Sequence, residues 1–177
     1  DLGFNSERLA YIPEYFSSYL DKSKLPNFTL LVSRNNQIAH LSSQGLASVE
    51  DKTQLRYDSI YRIFSMTKPI TSTAIMMLYE RGLLRLEHEV FRYLPEFKNI
   101  KVWDGGDVEN YSVRDPSQPI LIKDLLTHTS GMTYGFMLGH PVIKLYNTSG
   151  LASAKNPKTK EEMGLDEFSN TASSLPL

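Results

Sequence analysis

The stretch Ile63-Phe-Ser-Met-Thr-Lys-Pro-Ile70 marks the point where extended, apolar sequence gives way to a helical pattern. Over residues 69–82 apolar side chains recur on one helical face and a glycine ends the run, which predicts a helix. Ser65 lies just before this helix, and Lys68 follows at position i+3. Because positions i and i+3 lie on one side of a helix, we expect Lys68 to reach the Ser65 hydroxyl.

These residues leave two interpretations of Ser65 open. Ser is a common helix cap, but a capping box would place Glu or Gln at Lys68, and a Lys in the first turn opposes the helix dipole. Alternatively, Ser65 is a nucleophile and Lys68 its base, because free N–H groups at a helix start favour a neutral amine and stabilise an oxyanion. We expect Met66, Pro69 and Ile70 to keep this amine dry. Ser-x-x-Lys alone is a weak pattern.

The sequence before Ser65 predicts a helix followed by a β-hairpin. Apolar residues at three- and four-residue intervals indicate a helix over residues 6–20. Strand-like residues 27–33 and 38–49 flank the turn Arg34-Asn-Asn-Gln37. Residues 59–64 are short and extended.

The sequence after residue 82 predicts mainly short helices. Residues 83–97 indicate a turn and a short helix ending at Pro95, and residues 121–127 a short helix leading into the turn His128-Thr-Ser-Gly131. Residues 101–119 are rich in Gly and Asp and predict a polar surface excursion. A last weak helix is expected just before Leu175.

Composition narrows the possible functions. The 177 residues are 41% hydrophobic with a net charge of −1, which suits one core and gives no electrostatic case for binding nucleic acid or an anionic membrane. No apolar run is long enough to span a bilayer, and residues 1–12 do not resemble a signal peptide. The absence of cysteine excludes disulfides and thiolate catalysis but leaves the compartment open. The histidines at 40, 88, 128 and 140 lack paired spacing, so we expect neither a metal nor a cofactor.

Two longer segments of the sequence, taken together, indicate a known family. Residues 57–97, YDSIYRIFSMTKPITSTAIMMLYERGLLRLEHEVFRYLPEF, and residues 119–136, PILIKDLLTHTSGMTYGF, occur in that order. This sequence resembles the serine β-lactamase-related family, which includes class C β-lactamases, D-alanyl-D-alanine peptidases and Ser-x-x-Lys-type esterases and acyltransferases. The similarity runs from about Phe4 to Leu145, and the wording THTSGMTYGF is closer to the esterase branch.

The resemblance implies an α/β (α+β) fold: an antiparallel sheet flanked by helices, plus a mostly helical subdomain. Residues 1–64 would supply the helix and sheet hairpin, and residues 65–177 the nucleophile helix and part of the helical subdomain. Ser65 would attack a small-molecule ester or amide to form an acyl-enzyme, with Lys68 activating it. A carboxylesterase is favoured; a β-lactamase, a D-amino-acid peptidase and a non-catalytic penicillin-binding-like scaffold or sensor remain alternatives.

Two elements of the family pattern are missing from the sequence. These are a Tyr-x-Asn or Tyr-Ser-x element after the His-Thr-Ser-Gly turn and a later Lys-Thr-Gly or His-x-Gly element. Four candidates fail: Tyr111 comes before that turn, Tyr146 has its Asn one place too early, Lys158-Thr-Lys has Lys where Gly is needed, and Ser33 is better explained as part of a hairpin turn. We therefore expect the chain to be the N-terminal portion of one domain, incomplete in fold, inactive alone and dependent on its C-terminal half or another chain.

Other local patterns carry weaker hypotheses. A Ser-His-Asp arrangement could combine Ser65, His128 and Asp124, but no Gly-x-Ser-x-Gly elbow supports it. His128 is better explained as closing the last turn of its helix. Trp103 and Tyr134 could line the entrance to a pocket.

Overall fold

The computed structural model describes residues 2–137 and 139–177. The chain forms two compact units, Asp1–Phe64 and Ser65–Leu177. That both units belong to one domain stays a prediction. Among the described residues, every helix is too short or too polar to span a bilayer.

The first unit consists of one helix and a small antiparallel sheet. Its elements are α1 (Ser6–Asp21), β1 (Asn27–Arg34), β2 (Gln37–Ser48) and β3 (Thr53–Gln54), with the strands in the order β1-β2-β3. The Asn5 side chain accepts a hydrogen bond from the Arg8 N–H at 3.0 Å and so caps α1. The Phe16 ring packs at 5.5 Å from the ring of Phe28, which is buried. The predicted helix and strands are confirmed to within a residue or so.

The hairpin turn sets the register of β1 and β2 next to it. Asn35 and Asn36 both have positive φ, 51° and 59°, as a two-residue type I′ turn requires. Asn tolerates this left-handed conformation better than most residues. The turn pairs Arg34 with Gln37 and Ser33 with Ile38, and the register then shifts by one residue before the pairs that run from Val32–His40 to Asn27–Gly45.

The second unit is mostly helical. It contains 3₁₀ segments at Val90–Arg92, Pro95–Asn99 and Leu151–Ser153, and these longer elements: α2 (Thr67–Glu80), β4 (Val102–Gly106), β5 (Tyr111–Arg114), α3 (Ile122–Leu126), α4 (Pro141–Thr148) and α5 (Leu165–Ser173). Its core is a single cluster: Leu84, Val90, Phe97, Ile100, Ile120, Ile122, Val142, Tyr146, Leu151 and Ala172. Helices α2, α3 and α5 lie where the sequence predicts helices.

Two local predictions need correction or addition, and one helix is not predicted. The short helix expected to end at Pro95 is a 3₁₀ segment that ends at Arg92, and Pro95 begins a second 3₁₀ segment. The fixed φ and missing N–H of Pro95 suit the first position of a helix. The polar excursion contains the antiparallel hairpin β4–β5, where the Trp103 and Tyr111 rings stack at 4.8 Å. Helix α4 is an element that the sequence analysis does not predict, and the His140 side chain caps it by accepting the Val142 N–H at 3.3 Å.

The end of the described chain packs into this unit. The Leu177 N–H donates to the Lys101 carbonyl at 2.9 Å, and the Trp103 N–H donates to the Leu177 carbonyl at 3.0 Å. Leu177 therefore lies alongside β4. The Ser169 hydroxyl donates to the Glu96 carboxylate, which joins α5 to the segment Leu-Pro-Glu-Phe97.

Candidate active site

Ser65 lies in the turn that leads into α2. It is the middle residue of the 3₁₀ segment Phe64–Met66, and α2 begins at Thr67. The N-cap residue of α2 is Met66, and no side chain supplies a capping hydrogen bond. The interpretation of Ser65 as the helix cap is therefore wrong, and its hydroxyl is not used to hold the helix start.

The Ser65 hydroxyl contacts Lys68 instead. The Lys68 Nζ donates a hydrogen bond to the Ser65 Oγ at 2.9 Å, the usual length of an N–H···O hydrogen bond. Because the two residues are one helical turn apart, the start of α2 sets this contact directly.

A third side chain lies against this pair. The Lys68 Nζ is 5.5 Å from the ring centroid of Tyr134, within the distance of about 6 Å at which a ring face attracts a cation. The Tyr134 ring in turn stacks on Phe136, with centroids 4.8 Å apart and planes inclined by 24°. The sequence indicates Tyr134 only as a pocket-entrance candidate, and its contact with Lys68 is a finding of the structure.

The turn after α3 brings Tyr134 to this position. The helix ends with a hydrogen bond from the Thr129 N–H to the Asp124 carbonyl at 2.8 Å, the bond of a Schellman motif. His128 occupies the position of that motif that has a left-handed backbone conformation, with φ of 60°. Gly131 also has positive φ, 87°, and a Cβ there would come within 3.1 Å of the Leu177 Cβ. The path of the turn is thus set by the Schellman motif at His128 and by the close approach of Gly131 to Leu177.

The alternative Ser-His-Asp arrangement finds no support in these contacts. The Asp124 carboxylate accepts the Leu121 N–H at 2.9 Å and the Thr129 hydroxyl at 3.5 Å. Both bonds hold the two ends of α3, which is a structural use of the carboxylate. His128 marks the end of the helix, as expected, but it does so through its backbone conformation.

The surroundings of the pair are more open than expected. Met66 is 65% exposed and Ile70 is 62% exposed. The expectation that these side chains keep Lys68 dry is therefore wrong for this structure. The reason lies in α2, which buries none of its side chains.

The residues considered for the missing motifs have other roles. Tyr111 stacks on Trp103, which also meets the His140 ring edge-on at 5.5 Å. Tyr146 is buried in α4; burial raises the pKa of its hydroxyl, and the backbone of Thr133 partly offsets this effect.

Two further candidates serve turns. The Lys158 N–H donates to the Asn156 side chain at 2.9 Å, and Ser33 pairs with Ile38 in the hairpin. Over residues 2–137 and 139–177, no group of three or more His, Cys, Asp or Glu side chains is placed to hold a metal ion.

Comparison with known proteins identifies the family. Residues 12–163 match the model of the family described as Beta-lactamase, which is most of the chain. The chain belongs to the β-lactamase family. Esterase EstB of Burkholderia gladioli is similar to this β-lactamase-family chain, with 31% identity over an alignment that covers 95% of the present chain. The ML-236A carboxylate methylbutanoyltransferase mlcH of Penicillium citrinum is also 31% identical, over an alignment that covers 85% of the present chain.

Solved structures agree on the fold. The unliganded simvastatin synthase LovD of Aspergillus terreus is 24% identical, with a TM-score of 0.70 over 97% of this chain and 50% of that one. The β-lactamase and penicillin-binding-protein-like fold implied by the sequence is confirmed, with antiparallel sheets and helices. The chain spans 39% of the length of EstB and 36% of the length of mlcH. This coverage agrees with the expectation that the chain matches only a portion of its relatives.

Proposed function

We propose that this chain carries the nucleophile of a serine hydrolase or acyltransferase, and specifically of a carboxylesterase acting on small-molecule esters. The observation that supports this most directly is the 2.9 Å hydrogen bond from the Lys68 Nζ to the Ser65 Oγ at the start of α2. In this proposal Ser65 is the nucleophile and Lys68 is the group that takes its proton.

The contact suits proton transfer in both directions. With the amine neutral, the same separation lets the Ser65 hydroxyl donate to the Lys68 Nζ, and the oxygen then attacks the ester carbonyl carbon as its proton passes to the nitrogen. The tetrahedral intermediate collapses by breaking the bond to the alcohol oxygen, which receives the proton from Lys68. Water, or a second alcohol in an acyltransferase, then attacks the acyl-enzyme by the reverse sequence of proton transfers.

The start of α2 offers electrostatic help to this reaction. The first N–H groups of a helix have no partner within the helix, and no side chain caps α2. Such donors, aimed at the oxygen that gains negative charge, are each worth roughly 3 kcal/mol in acyl transfer. They would also disfavour the charged form of a nearby amine.

The names of the relatives support an acyl-group reaction. One is an esterase and one a methylbutanoyltransferase, so both names refer to acyl groups. We carry over to this chain only that reaction type. β-Lactams and D-amino peptides are the other acyl donors to be tested. The alternative to an enzyme is a non-catalytic penicillin-binding-like scaffold or sensor.

We also propose that turnover needs more chain than these 177 residues, supplied by the same protein or by a partner. The curated relatives are more than twice as long as the region they share with this chain. Within the first unit, β1 is an edge strand and the apolar side chains of Leu31 and Ile38 are 53% and 59% exposed. An unpaired edge beside exposed apolar groups is a surface that proteins normally cover.

The test is the activity of the complete protein toward a short-chain aryl ester and a chromogenic cephalosporin. Ser65→Ala is expected to abolish ester hydrolysis, and Ser72→Ala, a serine elsewhere in α2, serves as the matched control and should retain it. Faster hydrolysis of the cephalosporin than of the ester would replace the esterase assignment by a β-lactamase. Full ester activity in Ser65→Ala would refute the nucleophile assignment.

A further inference from the structure

Asn147 of α4 holds the segment that carries Tyr134. The Asn147 Nδ2 donates to the Gly135 carbonyl at 2.8 Å and to the Ile143 carbonyl at 3.0 Å. The second bond lies within α4 and fixes the side chain on the helix. The first bond leaves the helix and ties it to the residue directly after Tyr134.

Packing around Gly135 strengthens this connection. A Cβ at Gly135 would lie 2.2 Å from the Ala152 Cβ and 2.9 Å from the Asn147 Oδ1. No side chain fits there, so the backbone of the segment lies directly against Ala152. Asn147 and Ala152 together therefore fix the position of the peptide that follows Tyr134.

Tyr134 passes this constraint on to Lys68. The Lys68 ammonium lies 5.5 Å from the Tyr134 ring centroid and donates to the Ser65 Oγ. Lys68 is a long, exposed side chain, and without a neighbour it would sample many rotamers. Among the described residues, the ring face is a contact besides Ser65 that favours the orientation directed at the hydroxyl.

We propose that Asn147 is a positioning residue for the Ser65–Lys68 pair, acting through Gly135 and the ring of Tyr134. This proposal rests on the proposed function, since it concerns the rate at which Ser65 is acylated. By limiting the rotamers open to the long Lys68 side chain, whether the amine is charged or neutral, the ring favours the held orientation by about two- to fivefold in population. The same factor is the expected reduction in the acylation rate when the ring is displaced.

The experiment measures acylation of Ser65 by a fluorophosphonate in the complete protein, under single-turnover conditions. The variants are Asn147→Asp, which keeps the shape and removes the donor, Tyr134→Leu, which removes the ring, and the double variant. Asn170→Asp is the matched control, because the Asn170 Nδ2 donates at 2.8 Å to the Asp166 carbonyl within α5. The labelled fraction reports how much protein is folded, and the rate constant reports the geometry of the pair.

We expect Asn147→Asp and Tyr134→Leu each to lower the rate constant about two- to fivefold, with the double variant no slower than the slower single variant. Asn170→Asp should keep the wild-type rate constant. A lower labelled fraction with an unchanged rate constant in Asn147→Asp would show a purely structural role and overturn the proposal. Effects that multiply in the double variant would overturn the route through Tyr134.

A second pair of variants tests the packing step. Gly135→Ala should slow acylation by displacing the segment, and Ala152→Gly in the same chain should restore part of the rate by removing the Cβ that lies 2.2 Å away. No rescue, in protein that labels fully, would contradict the role given to this contact. Failure of the proposed function would look different, since the wild-type protein would then carry no adduct on Ser65 at all.

Discussion

Replacing Lys68 by Met separates a proton-transfer role from a merely electrostatic one. Met keeps a long unbranched side chain near the Tyr134 ring and removes the amine that lies 2.9 Å from the Ser65 Oγ. A positioned general base contributes a factor of about 10²–10⁴, or roughly 3–5.5 kcal/mol of activation free energy. The substitution also removes the attraction between the ammonium and the Tyr134 ring, which is worth only about 0.5–1 kcal/mol, a factor of about two to five. The proton-transfer effect should therefore dominate.

The assay for this prediction is steady-state hydrolysis of a short-chain aryl ester by the complete protein, with thermal unfolding measured in parallel. Lys68→Met should lower kcat/KM at least about 100-fold, and the melting temperature should change little because the side chain is exposed. Lys98→Met, in an exposed part of the 3₁₀ segment Pro95–Asn99, is the control for removal of a positive charge. A decrease below about tenfold would mean that Lys68 is not the base, and the reasoning from its hydrogen bond to Ser65 would fail.

Three further predictions concern the framework of the site. Gly131→Ala should lower the free energy of unfolding by about 1–2 kcal/mol in urea titrations, because its φ is 87° and the new Cβ would meet Leu177 at 3.1 Å; unchanged stability would contradict this packing. Ser169→Ala should raise the pKa of Glu96, read by NMR titration, because the Ser169 hydroxyl holds that pKa below its ordinary value of 4.5. A lowered carboxyl pKa adds stability above pH 4.5 that disappears as pH falls further, so the variant should lose less stability on acidification, and an equal decrease would count against the bond. His128→Gly should stabilise the protein by up to about 1 kcal/mol in the same urea assay by relieving a φ of 60°, and destabilisation would show that the imidazole makes a necessary contact.

The sequence predicts the elements whose signals are local. The two Asn residues of the first hairpin turn, the apolar spacing of α1 and the glycine after α2 each act within a few residues. The hairpin β4–β5 is not predicted because every residue of β5 is exposed and its apolar–polar alternation covers only four residues. It is stabilised by the stacking of Trp103 on Tyr111, a pairing across strands that composition does not indicate.

The same distinction applies to the candidate site. Helix geometry brings Lys68 within reach of Ser65, so position i+3 is enough to predict their contact. The contact of Tyr134 with Lys68 depends on the Gly131 turn and on the bond from Asn147, which join distant parts of the sequence. The expectation of dry surroundings for Lys68 fails for a related reason, since burial depends on what packs against α2 and not on the residues of α2 themselves.

The most direct test of the account is to locate the covalent adduct formed when the complete protein reacts with a fluorophosphonate. Peptide mapping by mass spectrometry should place one adduct on Ser65, with no adduct in Ser65→Ala and much slower labelling in Lys68→Met. An adduct on a different residue, or ester hydrolysis by a protein whose Ser65 stays unlabelled, would contradict the assignment of Ser65 as the nucleophile.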